Sequence, residues 1–136
     1  MTGTFPITIY HNPKCGTSRN TLAMITAAGY APDVVEYVKA GWTLPQLERI
    51  VSDMGGTARD ILRTKGTPAE ELGLTDPAAT DAAILEAMTQ HPILVNRPIV
   101  VSPKGTKLCR PSEAVLDLLE RRPESFTKED GEVVKL

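Results

Sequence analysis

The feature that most constrains the fold is a strand, a helix and a second strand within the first 38 residues. Residues 7–10 are β-branched or aromatic and predict a strand, and apolar residues recur at helical spacing over 16–28 until Gly29. Residues 34–38, rich in valine, predict the second strand. Two strands joined by one helix in so short a span form a βαβ unit with parallel strands, so the chain is predicted to be an α/β protein.

The middle of the chain predicts several short helices. Capping-box patterns begin at Thr43 and Thr67, and Asp76 stands as a helix cap before a proline. Glycines and prolines separate these pieces without forming a long linker. We therefore expect a single domain over 1–136, with a helical insertion at about 43–90.

The end of the chain returns to strands. Residues 99–101 and 106–109 flank a glycine-containing turn and predict an antiparallel hairpin, after which Ser112 is expected to cap a helix through Leu119. The charged tail after it predicts a surface appendage. The order β, α, β, helices, β, β, α is that of the thioredoxin-like fold, a mixed sheet flanked by helices, with a helical insertion after the second strand.

Charge and hydropathy narrow the functional classes. A net charge of -2 and a pI near 5.7 provide no general attraction for nucleic acid or an anionic membrane, so a bound anion needs locally gathered arginines. No apolar run approaches the roughly 18 residues that span a bilayer. We expect a cytoplasmic protein whose two cysteines, Cys15 and Cys109, are reduced.

Cys15 stands where the first helix is expected to begin. A cysteine in the first helical turn is favoured as thiolate by the backbone N–H groups and the helix dipole, and Lys14, Arg19 and His11 are near it in sequence. Its polar surroundings are a poor setting for a cysteine that only fills the core. The pattern therefore favours a reactive thiolate over a packing role.

Ser18 occupies the position where a Cys-x-x-Cys oxidoreductase has its second thiol. Its hydroxyl can hydrogen-bond Cys15 but cannot resolve a mixed disulfide. Turnover would then need a thiol from outside the chain, unless Cys109 moves in. The simpler interpretation of Cys109 is a half-buried strand residue.

Other cysteine and phosphate chemistries fit poorly. Three residues separate Cys15 from Arg19, which is too few for the cysteine-phosphatase loop, and the chain has no GxxxxGK[ST] motif. A metal site built from the cysteines and from His11 and His91 has only one close ligand pair. We therefore expect no metal.

Three arginines, Arg63, Arg97 and Arg110, each lie beside a predicted element end. A guanidinium binds tetrahedral oxyanions through two parallel hydrogen bonds, so three of them converging on Cys15 would form an oxyanion pocket. The alternative is that each is a solvated surface charge.

Three segments, "ITIYHNPKCGTSRNTL", "HPILVNRPIVV" and "LCRPSEAVL", together resemble the arsenate reductases of the glutathione- and glutaredoxin-linked class. The resemblance runs over nearly the whole chain. It implies a thioredoxin-like fold and reduction of arsenate to arsenite. It also implies glutathione as co-substrate, glutaredoxin as partner and no bound cofactor.

The resemblance also implies roles for individual residues. Cys15 would be the nucleophile, with His11 helping to set its pKa and Ser18 as its hydrogen-bond partner. Pro98 would be the cis-proline of the fold. By the resemblance, Arg63, Arg97 and Arg110 would hold the oxyanion. Asn12 and Arg19 are further expected substrate-binding residues.

Two other interpretations remain open. The chain could be a thiol-dependent reductase or transferase of the same fold with another substrate, which the full set of three arginines disfavours. It could also be a redox-sensing regulator that binds RNA polymerase. Such regulators rely on a cysteine pair near the N-terminus, where this chain has Ser18.

Overall fold

A computed structural model of the chain describes residues 5–122, 125–128, 131 and 133–135. The chain forms two compact units. The sheet unit consists of residues 1–36 together with 97–136, and the helical unit is Tyr37–Asn96.

The sheet unit contains a four-stranded mixed sheet in the order β2-β1-β3-β4. β1 pairs in parallel with β2 and antiparallel with β3, and β3 forms an antiparallel hairpin with β4. The predicted parallel pair and the predicted hairpin are both confirmed. The strands are β1 (Thr8–His11), β2 (Asp33–Glu36), β3 (Ile99–Ser102) and β4 (Gly105–Leu108).

One helix and one 3₁₀ segment share a hydrophobic core with this sheet. Helix α1 spans Gly16–Ala27 and ends before Gly29, whose φ of 95° is a conformation that favours glycine. The 3₁₀ segment Ser112–Leu118 contributes Val115 and Leu116 to the same core. The buried sheet residues of this cluster are Ile9 and Val100, Ile7 lies just before β1, and those of α1 are Met24 and Ile25.

The helical unit is built from short helices with local start and stop signals. Thr43 accepts a hydrogen bond from the Gln46 backbone while the Gln46 side chain accepts one from Thr43 N–H, so the predicted capping box is confirmed. The helix that follows Thr43 ends at Met54 and is capped by Gly55, whose φ is 69°. The α-helices are α2 (Tyr37–Ala40), α3 (Leu44–Met54) and α4 (Asp81–Gln90), with 3₁₀ turns at Ala58–Ile61 and Pro92–Leu94.

The structure corrects the end of the second predicted strand and two of the predicted helices. The second strand ends at Glu36, because Tyr37 begins α2, is fully buried, and donates its hydroxyl to the Val95 carbonyl at 2.8 Å. Residues 65–78 form turns instead of helices starting after Thr67 and Asp76.

Long-range hydrogen bonds explain these turns. The Arg59 guanidinium donates to three backbone carbonyls, those of Leu74, Asp76 and Ala79, at 3.0–3.2 Å. Carbonyls held this way are satisfied without a continuous helix. The helix start that follows is Thr80, whose side chain accepts a hydrogen bond from Ala83 N–H.

The C-terminal predictions also need correction. The segment after Pro111 is a 3₁₀ helix, and Ser112 does not cap it; its hydroxyl donates to the Glu113 carboxylate. The tail expected to be an appendage forms an antiparallel pair, β5 (Ser125–Thr127) and β6 (Val133–Lys135). Phe126 packs against the core cluster, and Lys128 Nζ forms an ion pair with Glu113 Oε1 at 2.6 Å.

In the described part of the chain, no helix has both the length and the apolar character needed to cross a membrane.

Candidate active site

The loop between β1 and α1 is shaped by Asn12. Its backbone carbonyl accepts the Cys15 N–H at 3.0 Å, and its side-chain oxygen accepts the Lys14 N–H at the same distance. An asparagine bonding to the backbone two residues on is a turn-forming arrangement. The turn places Cys15, with an extended backbone (φ −101°, ψ 122°), as the N-cap of α1.

Strand register brings two arginines to the same edge of the sheet. Arg97 directly precedes a cis peptide bond to Pro98 and β3, and Arg110 follows β4. The start of β3 pairs with both the end of β1 and the end of β4 through Ile99. Residues just beyond these strand ends therefore lie beside the loop that carries Cys15.

The Arg110 guanidinium contacts the thiol. Its Nη1 lies 3.7 Å from Cys15 Sγ and also donates to the Arg97 carbonyl at 3.0 Å. Cys15 is 7% exposed, whereas Arg110 is exposed. The sulfur thus belongs to a mostly buried residue and contacts the side chain of an exposed cation.

The surroundings of Cys15 favour the thiolate. Burial acts to raise the pKa of the thiol, but the Ser18 and Thr17 backbone N–H groups, the charge of Arg97 and the Arg110 hydrogen bond outweigh it and lower the pKa below its ordinary value. The Cys15 side chain makes no regular N-cap hydrogen bond, but both N–H groups belong to the first turn of α1, where the helix dipole is positive. The helix terminus therefore acts on Cys15 together with Arg97 and Arg110, which are distant from it in sequence.

The Ser18 side chain is placed differently from the prediction. Its hydroxyl oxygen lies 2.6 Å from His11 Nδ1 and accepts the Asn12 N–H at 3.0 Å, so it faces the end of β1 and not the sulfur. Only the Ser18 backbone acts on Cys15. His11 is buried, and this burial, more than its charged neighbours, lowers the pKa of its imidazole.

The other predicted residues are placed as follows. Arg19 is exposed and donates through Nη1 to the Pro13 carbonyl at 2.7 Å, and Lys14 is exposed. Arg63 belongs to the helical unit, where its Nε donates to the Lys65 carbonyl at 3.1 Å. Substrate binding stays a prediction for these residues and Asn12, and equally for Arg97 and Arg110.

Cys109 is part of the core and not of this site. It is fully buried in the cluster of the sheet unit, more deeply than the half-buried position expected. Burial raises the pKa of its thiol to about 12. The packing interpretation of Cys109 agrees with both observations.

Sequence reasoning missed two contributors. The first is the Thr17 backbone N–H, which acts on Cys15 although the threonine side chain carries no signal in the sequence. The second is Asn12 as the residue that shapes the loop, which the Asn-Pro dipeptide of a turn could have indicated. Among the described residues, no three His, Cys, Asp or Glu side chains are grouped so that they could hold a metal ion.

The sheet unit combines a four-stranded mixed sheet, a cysteine at the start of α1 and arginines at the adjoining strand ends. These features define a thioredoxin-like protein with a single thiol at its site. Comparison with known proteins makes the class more specific. The model of the ArsC family matches residues 10–118. The chain therefore belongs to the ArsC family.

Individual relatives are similar over most of their length. The arsenate reductase ArsI2 of Synechocystis sp. is 60% identical over 129 residues, which are 94% of this chain and 92% of the relative. An arsenate reductase of Escherichia coli is 54% identical over the same shares. The solved structure of an arsenate reductase from Vibrio cholerae has a TM-score of 0.80 and 39% identity, covering 85% of this chain and 98% of its own.

Proposed function

We propose that this protein reduces arsenate to arsenite, with Cys15 as the nucleophile. The observation that carries the proposal is the contact of 3.7 Å between Cys15 Sγ and the Arg110 guanidinium, at a helix N-terminus that favours the thiolate. The same cations that stabilise a thiolate attract an oxyanion to it. Relatives at 60% and 54% identity that are arsenate reductases support this choice of oxyanion.

Arginine side chains bind the substrate in this proposal. Arg97 and Arg110 neutralise the arsenate oxygens beside the sulfur, and Arg63, Arg19 and Asn12 are the further candidates. The guanidinium groups also stabilise the negative charge that develops on oxygen as the sulfur attacks. Each arginine therefore contributes to both binding and rate.

The reaction needs two thiols besides Cys15. The Cys15 thiolate forms an S–As bond and one arsenate oxygen leaves as water; the glutathione thiol then displaces a second oxygen, also as water. A glutaredoxin thiolate attacks the glutathione sulfur, forming a mixed disulfide, and the electron pair of the broken S–As bond reduces As(V) to As(III). Hydrolysis of the remaining S–As bond releases arsenite and restores Cys15.

Ser18 and Cys109 support the use of outside thiols. Ser18 replaces the resolving cysteine of a Cys-x-x-Cys motif, and Cys109 is fully buried with a pKa of about 12, far from the thiolate form at neutral pH. Neither can break a bond to Cys15. In this proposal glutathione is the co-substrate, a glutaredoxin is the partner, and the protein works in a reducing, cytoplasmic location.

The test is arsenate-dependent oxidation of NADPH by the purified chain, coupled through glutathione reductase, glutathione and a glutaredoxin. We expect activity to require arsenate, glutathione and glutaredoxin together, and each is omitted in turn. Activity that persists without glutaredoxin would refute the role of glutaredoxin but not the proposed substrate. No arsenate-dependent signal, with competent coupling enzymes, would refute the proposed substrate and favour another oxyanion or the regulator interpretation.

A further inference from the structure

The hydrogen bonds around Ser18 determine where one proton lies. Ser18 is fully buried in the first turn of α1. Among the described residues, the partners of its hydroxyl oxygen are Asn12 N–H at 3.0 Å and His11 Nδ1 at 2.6 Å. The Asn12 amide can only donate, so it occupies one lone pair of the hydroxyl oxygen.

The hydroxyl proton then has one suitable acceptor. If His11 Nδ1 carried a proton, both partners would donate to Ser18 Oγ and the buried hydroxyl proton would have no acceptor within the described chain. Leaving a buried donor without an acceptor is unfavourable, because the lost hydrogen bond to water is not replaced. The arrangement in which Ser18 donates to an unprotonated Nδ1 satisfies every group.

We propose that His11 is a positioning residue held neutral as the Nε2–H tautomer, whose Nδ1 accepts the Ser18 hydroxyl and so fixes the start of α1 against the end of β1. The fixed turn directs the Thr17 and Ser18 backbone N–H groups at Cys15. The positive charges that favour the thiolate are those of Arg97 and Arg110, and not an imidazolium. His11 then influences the pKa of Cys15 through position and not through charge.

The groups facing His11 agree with a neutral ring. Glu36 lies opposite His11 in the pairing of β1 with β2 and favours the imidazolium, whereas Arg19 of α1 opposes it. Burial outweighs both and lowers the pKa of His11. His11 is absent from the groups acting on the pKa of Cys15. Geometry and charge lead to the same assignment.

The direct test is imidazole NMR of the ¹⁵N-labelled wild-type protein at pH 7, without arsenate. The chain has two histidines, so a His91→Gln variant assigns the signals of His11. We expect an unprotonated Nδ1 and a protonated Nε2. A protonated Nδ1, in either the other tautomer or an imidazolium, would overturn the proposal.

Variants test the positioning role through the pKa of the Cys15 thiol, measured by thiolate absorbance at 240 nm. His11→Asn keeps an acceptor near the place of Nδ1 but can never carry a charge, so we expect the pKa to stay within about 0.3 of the wild-type value. His11→Ala and Ser18→Ala remove the hydrogen bond, and we expect each to raise the pKa by about 0.5 or more. Thr21→Val, which removes a buried α1 hydroxyl bonded to the Thr17 carbonyl, is the matched control.

The outcomes separate the alternatives. If His11→Asn and His11→Ala raise the pKa equally, His11 acts as a cation and the proposal is wrong. If neither raises it, the hydrogen bond does not position the site, and the proposal is again wrong. Should His11→Ala fail to fold, the NMR measurement on the wild-type chain still decides the tautomer. None of these readouts uses arsenate, so they stand apart from the proposed function.

Discussion

Replacing Arg110 by glutamine should raise the pKa of Cys15 by about 1. A charge-assisted hydrogen bond such as that from Nη1 to Sγ, at 3.7 Å, is worth about 1.5–3 kcal/mol, or roughly 1–2 pKa units. The guanidinium is exposed, and solvent screening reduces the effect toward the lower end. Below the pKa, the thiolate fraction at a given pH should then fall by about tenfold.

The assay is the pH dependence of thiolate absorbance at 240 nm, together with the rate of alkylation by iodoacetamide. Cys109 does not interfere, since its pKa is about 12. Arg122→Gln is the matched control, because it removes an exposed positive charge that does not act on Cys15. A Cys15 pKa that changes no more in Arg110→Gln than in Arg122→Gln would refute the electrostatic account of the site.

Three further results are expected. Native protein should show one thiol reactive toward Ellman's reagent, Cys15, and denatured protein should show two. Cys109 keeps its proton up to about pH 12 in the folded protein but loses it near pH 9 in the unfolded chain. Its contribution to the free energy of unfolding should therefore fall as the pH rises between these values, as measured by denaturant titrations. Arg59→Met should lower the free energy of unfolding by about 1–3 kcal/mol, because it removes three hydrogen bonds to backbone carbonyls. Arg49→Met, which removes only an exposed ion pair with Asp53, should change it by less than about 0.5 kcal/mol. Equal effects of the two substitutions would contradict the role of the three carbonyl contacts. Ile9→Ala, in the buried centre of β1, should cost about 2–5 kcal/mol in the same titration, and a loss below about 1 would show that the strand is not central to the core.

Local patterns were enough to predict much of the sheet unit. The first strand, α1 and the hairpin of β3 and β4 depend on alternation, helical spacing and glycine turns, all of which are visible within a few residues. The position of Cys15 at the start of α1 followed from the same signals. These predictions are confirmed because local preference and tertiary packing agree there.

The errors arose where distant groups decide the conformation. The capping pattern at Thr67 predicts a helix, but Arg59 binds the carbonyls of a turn segment, and its partners lie 15–20 residues away. The strand expected through residue 38 stops early because buried Tyr37 bonds the Val95 carbonyl. No local pattern carries either contact.

The candidate site shows the same division. The sequence identified Cys15, Arg97 and Arg110 as candidates, but their proximity depends on the strand pairing and could only be inferred. The orientation of the Ser18 hydroxyl toward His11 could not be predicted at all, because both partners were expected to act on the sulfur directly. Side-chain direction at a helix start depends on the folded loop.

The measurement that tests the central claim most directly is arsenite formed per minute, determined by chromatography with arsenic-specific detection, in the presence of glutathione and glutaredoxin. Wild type, Cys15→Ser and Cys109→Ser are compared, each checked for native circular dichroism. We predict that Cys15→Ser forms no arsenite above the protein-free rate, whereas Cys109→Ser retains nearly the wild-type rate. Arsenite production by Cys15→Ser would contradict the account, because no other described thiol of the chain is placed to attack arsenate.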